Sequence, residues 1–211
     1  MKTALIVGGT GLIGKELTSL LLEDDRYAQI ILLVRKRLDI THKKLIQLVY
    51  DFDRADPSAV LADEIFCCLG TTIKVAGSKA AFYKVDHDYV INIAKAGFAN
   101  GVKKFALVSS MGANKNSPIF YSRTKGETEQ DVMAIAFESL YIFRPSLLLG
   151  TRPGFRLGEK ISQFLMVNLS FIIPAKYKAV QGRQVAQAMI NVMNNGQTGM
   201  HIFESDRIAK L

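Results

Sequence analysis

Cysteine is scarce in this chain of 211 residues: there are two, Cys67 and Cys68, and they are adjacent. Neighbours on a strand point to opposite faces, so they do not pair with each other, and the chain carries no disulfide framework. Such thiols inside an apolar run read as small buried hydrophobes of a reducing compartment, and the cytoplasm is the expected location. Histidine is equally thin. His42, His87 and His201 each stand without a second His or Cys at ligand spacing, so no metal site is expected. No Pro-, Ser- or Gly-rich linker divides the chain, and no internal repeat or low-complexity tract occurs. The chain is therefore expected to form a single domain over residues 1–211. Long apolar runs are missing too. The N-terminal stretch stops at Gly8, with charges returning at Lys15 and Glu16, which is too soon for a secretory core. The later run 164–173 is broken by Asn168 and Ser170 and cannot span a bilayer.

What is present begins with charge. The net charge is +8, which favours anionic partners. The basic residues are dispersed, however, with the densest groups at Arg35-Lys36-Arg37 and Lys43-Lys44, and no basic run is interleaved with aromatics. A nucleic-acid partner is not expected on that pattern, whereas a phosphorylated small molecule is.

Strand-like and helix-like patterns alternate. Strands are predicted at 3–7, 30–34, 45–50, 65–69, 105–108, 140–143 and 200–203, with helices at 11–22, 79–98, 119–137 and 184–193. The run at 30–34 is continuously apolar, as a strand covered on both faces must be. This alternation implies an α/β fold, a doubly wound parallel sheet of the Rossmann type. Beyond Pro145 the pattern loosens, with a helix plausible at 159–169. Residues 145–180 are expected to cover a substrate cleft.

Between the first strand and first helix lies Gly8-Gly9-Thr10-Gly11-Leu12-Ile13-Gly14. Glycine permits a sharp turn and a close backbone approach to a pyrophosphate, whose charge meets free N–H groups at a helix N-terminus. At the end of the second strand, where an acidic residue would hold the ribose hydroxyls of NAD, the sequence places Val34-Arg35-Lys36. Two cations there suit the 2′-phosphate of NADP, which Arg can grip in bidentate fashion.

The chemistry is predicted at Tyr121-Ser122-Arg123-Thr124-Lys125, where an i to i+4 spacing puts Tyr121 and Lys125 on one helix face. A nearby ammonium favours phenolate, so Lys125 is expected to draw the Tyr121 phenol toward working pH. Tyr121 can then exchange a proton with a substrate oxygen. Ser109 and Ser110 close the fifth strand, and one of them would orient that oxygen.

In these stretches the sequence resembles the atypical short-chain dehydrogenase/reductases, and most closely the Tat-interacting oxidoreductase family. The resemblance rests on Gly8–Gly14, on Phe66-Cys67-Cys68-Leu69-Gly70-Thr71-Thr72, on Val85-Asp86-His87-Asp88-Tyr89-Val90, on Ser109–Ala113, on Tyr121–Glu127 and on Phe143-Arg144-Pro145. It implies that Thr10, Gly11, Leu12 and Ile13 contact cofactor phosphates. It likewise implies that Arg35 and Lys36 flank the 2′-phosphate, that Leu69 and Gly70 line the adenosine ribose, and that Asp51 lies near the adenine. Tyr121 would be the proton acceptor and Lys125 would hold the nicotinamide ribose, with Leu148 and Arg156 completing the pocket. Two positions depart from the family: Lys36 stands where it has Arg, and the apolar pair Leu12-Ile13 is similar to bacterial relatives.

Two functions fit these features. One is an NADP(H)-dependent oxidoreductase acting on a carbonyl or alcohol, with an apolar substrate expected and a monomer or homodimer as the working unit. The other is a non-catalytic NADP(H)-binding regulatory module.

Overall fold

The computed structural model describes residues 1–149 and 174–211. Among them seven strands form one parallel sheet in the order β3-β2-β1-β4-β5-β6-β9. They are β1 (Lys2–Val7), β2 (Tyr27–Val34), β3 (Leu45–Val49), β4 (Glu64–Cys67), β5 (Lys104–Val108), β6 (Ser139–Arg144) and β9 (Gly199–Glu204). A short ladder pairs β7 (Leu148–Leu149) with β8 (Val180–Gln181).

The alternation of side chains along β1 divides the core in two. Ala4 and Ile6 join Leu17 and Leu21 of helix α1 (Leu12–Glu23) and Val185, Met189 and Met193 of a helix over Gly182–Asn194. Leu5 and Val7 face the other way, onto Val90, Ile93 and Ala94 and onto Val132. Helices on both faces are the reason the central strands read as unbroken apolar runs.

Register sets the place of the site. Val7 of β1 aligns with Leu33 of β2 and with Cys67 of β4. The loops that follow these three strands therefore emerge side by side, where the strand order reverses between β1 and β4. Crevices at such switch points are where doubly wound sheets bind ligands.

Several boundaries differ from the sequence pattern, each for a local reason. The fourth strand ends at Cys67, not Leu69; the N–H of Cys68 still donates to the Val7 carbonyl, after which the chain leaves the sheet. The helix expected over 79–98 consists of helix α3 (Lys79–Tyr83), a π-helical turn (Lys84–Asp88) and helix α4 (Tyr89–Ala99). Helix α5 (Phe120–Met133) stops short of Phe137, because Ala136 turns the chain back with φ of 62°. Helix α6 (Gly182–Asn194) begins two residues early because Gln181 and Gln184 form a reciprocal capping pair. The short helices α2 (Ile73–Ala76) and α7 (Ser205–Ile208) lack any apolar period and were not legible. The expected helix at 159–169 and most of the expected cleft cover at 145–180 lie outside the described residues.

At the opposite end of the sheet a charge is buried. Glu64, 1% exposed, accepts from Tyr27 Oη at 2.6 Å and from Lys2 Nζ at 2.7 Å, with Lys104 Nζ at 3.4 Å. Burial first, and the Glu64 charge second, hold the Tyr27 phenol well above its ordinary value. No helix among the described residues is long and apolar enough to cross a membrane.

Candidate functional site

The glycine loop is shaped by two contacts that a side chain would forbid. Gly8 has φ of +82°, and a Cβ built there would lie 2.5 Å from the Cys68 carbonyl. A Cβ on Gly14 would lie 2.2 Å from the Gly8 carbonyl oxygen. The N–H of Gly11 donates to that same oxygen at 3.0 Å, closing the turn. Gly11 caps α1 without a side chain, so no capping side chain occupies the first-turn N–H groups. Gly14→Ala is accordingly expected to force a backbone shift that lowers stability by about 1–3 kcal/mol and deforms the cradle. Thermal denaturation checks it, and an unchanged melting temperature would contradict it.

One cavity, of about 810 Å³, lies over the β1 and β2 ends. Gly8–Gly11, Arg35, Lys36, Arg37, Phe52, Leu69, Gly70 and Tyr89 are among the residues lining it. Arg35, Lys36 and Arg37 are exposed at its edge. Phe52, which no sequence pattern marked, and Tyr89 form an aromatic wall with ring centroids 5.4 Å apart. Asp51 lines neither this cavity nor its neighbour; its carboxylate accepts from the Asp53 N–H at 2.9 Å and caps a short 3₁₀ turn.

A second cavity, of about 760 Å³, lies over β4 and β5. It is lined by Thr10, Gly11, Leu12 and Ile13 on one side, by Ser109, Tyr121 and Lys125 on another, and by Leu148, Leu149 and Arg183. The two cavities share Thr10, Gly11, Cys68, Leu69, Gly70, Thr71 and Val75, so they form one bent groove.

Tyr121 and Lys125 stand together because α5 places them one turn apart. The Tyr121 ring rests on Phe82 at a centroid distance of 5.4 Å, and Phe82 is fully buried. Of the two serines, Ser109 is buried and faces the cavity, with an Oγ that has no hydrogen-bond partner among the described residues. Ser110 does not line it, and its Oγ donates to the Met111 carbonyl at 3.3 Å. Lys125 is 6% exposed, and its Nζ lies 2.7 Å from Asp86 Oδ1. That contact is an ion pair by distance, though its angle is not that of an aligned hydrogen bond. Burial draws the Lys125 ammonium down, but the charge of Asp86 and then that of Tyr121 outweigh it, leaving the group above its ordinary value.

The sequence marks Asp86 only as part of the stretch Val85–Val90 that carries the family resemblance, and assigns it no role. A π turn rotates Asp86 inward, and neither a helical nor a strand period signals that. His87 is held outside the groove, its ring nitrogens 2.8 Å from Asp88 and 2.9 Å from Asp131. No cluster of metal-ligating side chains occurs among the described residues. Arg156 lies outside them.

The groove suits an elongated ligand, anionic at one end and at its middle. Its floor is a cradle that a Cβ at Gly8 or Gly14 would fill, its edge carries three cations, and an unpartnered buried hydroxyl waits at the far end. Those features fit a phosphorylated dinucleotide.

Comparison with known proteins agrees with the geometry. Residues 8–146 match the family described as NAD(P)H-binding. The chain is 35% identical to Protein HTATIP2 of Rattus norvegicus over 217 aligned residues, covering 100% of this chain and 89% of that protein. It is 34% identical to Protein FMP52, mitochondrial, of Candida glabrata, covering 81% of this chain and 74% of that protein. Among solved structures, UDP-glucuronic acid 4-epimerase from Bacillus cereus, in complex with UDP-glucuronic acid and NAD, superposes with a TM-score of 0.75 at 14% identity. That alignment covers 96% of this chain and 77% of the epimerase, a likeness of fold.

Proposed function

Because the chain belongs to the NAD(P)H-binding family, as an atypical short-chain dehydrogenase/reductase of the HTATIP2 type, we propose that it is an NADP(H)-dependent oxidoreductase acting on a carbonyl or alcohol. The observation that carries this reading is that Tyr121, Lys125 and Ser109 line one end of a groove whose middle is the glycine cradle and whose other end is rimmed by Arg35, Lys36 and Arg37.

In this reading the backbone of Thr10–Ile13 holds the pyrophosphate and the side chains of Arg35 and Lys36 hold the 2′-phosphate. Leu69 and Gly70 line the adenosine ribose, and Lys125 donates to the nicotinamide ribose. When bound, the nicotinamide supplies or accepts the hydride. Ser109 donates its hydroxyl to the substrate oxygen and orients it. Tyr121 gives its phenolic proton to a carbonyl oxygen during reduction and takes a hydroxyl proton back during oxidation. The Lys125 charge stabilises the phenolate that remains. Leu12, Leu148 and Leu149 supply an apolar strip of the remaining wall, beside Lys15, Glu16, Gln181 and Arg183, and on that strip an apolar substrate portion is expected. Ser110 and Asp51 have no part in this arrangement. The free thiols Cys67 and Cys68 suit a reducing compartment, and we infer the cytosol, with a monomer or homodimer as the working unit.

The test is thermal denaturation with NADPH and with NADH. At a concentration about 100 times Kd, NADPH is expected to raise the melting temperature by about 5 °C or more, and NADH at the same concentration by clearly less. Equal shifts would remove the NADP preference. No shift with either nucleotide would remove the cofactor itself, and binding without turnover on any carbonyl would favour the regulatory module.

A further inference from the structure

Asp86 is 1% exposed on the π turn, with one carboxylate oxygen in an ion pair and the other in a hydrogen bond. Oδ1 lies 2.7 Å from Lys125 Nζ, and Oδ2 accepts from the backbone N–H of Thr71 at 2.8 Å. The turn is pinned from α5, where Thr128 Oγ1 donates to the Asp86 carbonyl at 3.0 Å. The ion pair lies directly beneath the groove floor: a Cβ on Gly70 would sit 3.5 Å from Asp86 Oδ1 and 3.5 Å from Lys125 Nζ.

We propose that Asp86 is a positioning residue of this site, the buried counter-ion that keeps Lys125 protonated and ties it to the groove floor at Thr71. The inference rests on the NADP(H) reading, in which Lys125 donates to the nicotinamide ribose.

The physical case is one of desolvation. A buried ammonium without a counter-ion gives up its proton, with lysine falling by up to about 3–5 pKa units when fully buried. The groups facing Lys125 are Asp86 from the π turn, Tyr121 from its own helix and Cys67 from the end of β4. The Cys67 thiol, pushed up to about 12 by burial, carries no charge at neutral pH. Asp86 is the carboxylate among them. With it in place, the Lys125 proton is retained across the neutral range, and the stability that the raised Lys125 value contributes is lost as pH rises through that value. Without it, Lys125 is charged only at low pH, where burying that charge is costly. At high pH the amine is cheap to bury but a poorer donor to the ribose.

Asp86→Asn in the full chain therefore has two opposite signatures. NADPH affinity, measured by fluorescence titration from pH 6 to 9, is expected to fall relative to wild type by about tenfold more at pH 9 than at pH 6, the loss of one charged hydrogen bond. The melting deficit relative to wild type, measured without nucleotide, is expected to shrink over the same range. A purely structural role would lower both by a pH-independent factor, and that result overturns the proposal. The double variant Asp86→Asn/Lys125→Met is expected to melt above either single variant, since it leaves no unpaired charge. Additive losses would overturn the proposal even if the wild type bound no NADPH, an outcome that by itself would sink the oxidoreductase reading instead.

Discussion

Replacing Tyr121 with Phe is expected to lower the turnover of a carbonyl substrate by about 10²–10⁴-fold while leaving NADPH affinity within about threefold of wild type. The substitution removes one oxygen and keeps the ring. The ring is what packs on Phe82, so the start of α5 and the position of Lys125 are retained. What disappears is the proton that, on the proposed mechanism, the phenol exchanges with the substrate oxygen. Steady-state kinetics on a panel of apolar carbonyls, with parallel nucleotide titration, separates the two effects. Activity surviving at the wild-type level would remove Tyr121 from the chemistry. Loss of NADPH binding in step with turnover would mean that the phenol acts on the cofactor rather than on the substrate.

Arg35→Asp is expected to reverse the nucleotide preference. Arg35 follows β2, and the pair ladder levels the end of that strand with Val7, immediately before the glycine turn. On the NADP(H) reading a guanidinium there would reach a 2′-phosphate from an exposed edge, so the gain would be partly screened by solvent. Losing one charge-assisted contact costs about 1.5–3 kcal/mol, or about 10–100-fold in affinity for NADPH, and a carboxylate in its place adds repulsion. NADH should be held as well as before or better, because a carboxylate at this point suits free ribose hydroxyls. Raised ionic strength should narrow the wild-type preference. If NADPH and NADH affinities fell together, the residue would be shaping the loop rather than reading the phosphate. Lys36 and Arg37 line the same cavity, so some preference for NADPH is expected to persist in Arg35→Lys.

The two ends of the groove were legible to different degrees. The glycine loop announced itself because its requirement is local: Gly8 and Gly14 are demanded by contacts within a single strand-turn-helix unit and the neighbouring Cys68. Tyr121 and Lys125 were legible for the same reason, being one helical turn apart. Ser109 and Ser110 could not be told apart in the sequence, since adjacent residues at a strand end differ only in which way the chain turns there. The structure turns Ser109 into the cavity and leaves Ser110 outside. Asp51, expected near the adenine, caps a 3₁₀ turn and lines neither cavity, and the aromatic wall beside it comes from Phe52 and Tyr89, drawn from distant segments.

Periodicity and local chemistry were enough to establish an alternating α/β chain, a tight glycine turn after its first strand, a basic edge after its second and a tyrosine-lysine pair on one helix. Those features depend on residues within a turn or two of one another, and their physics is carried by the order of the letters. Tertiary structure alone decided that the three strand ends stand level, that the two cavities join, and that Asp86 meets Lys125. These depend on strand register and on a π turn that swings one side chain inward, both fixed by packing between segments far apart along the chain, which no local pattern encodes.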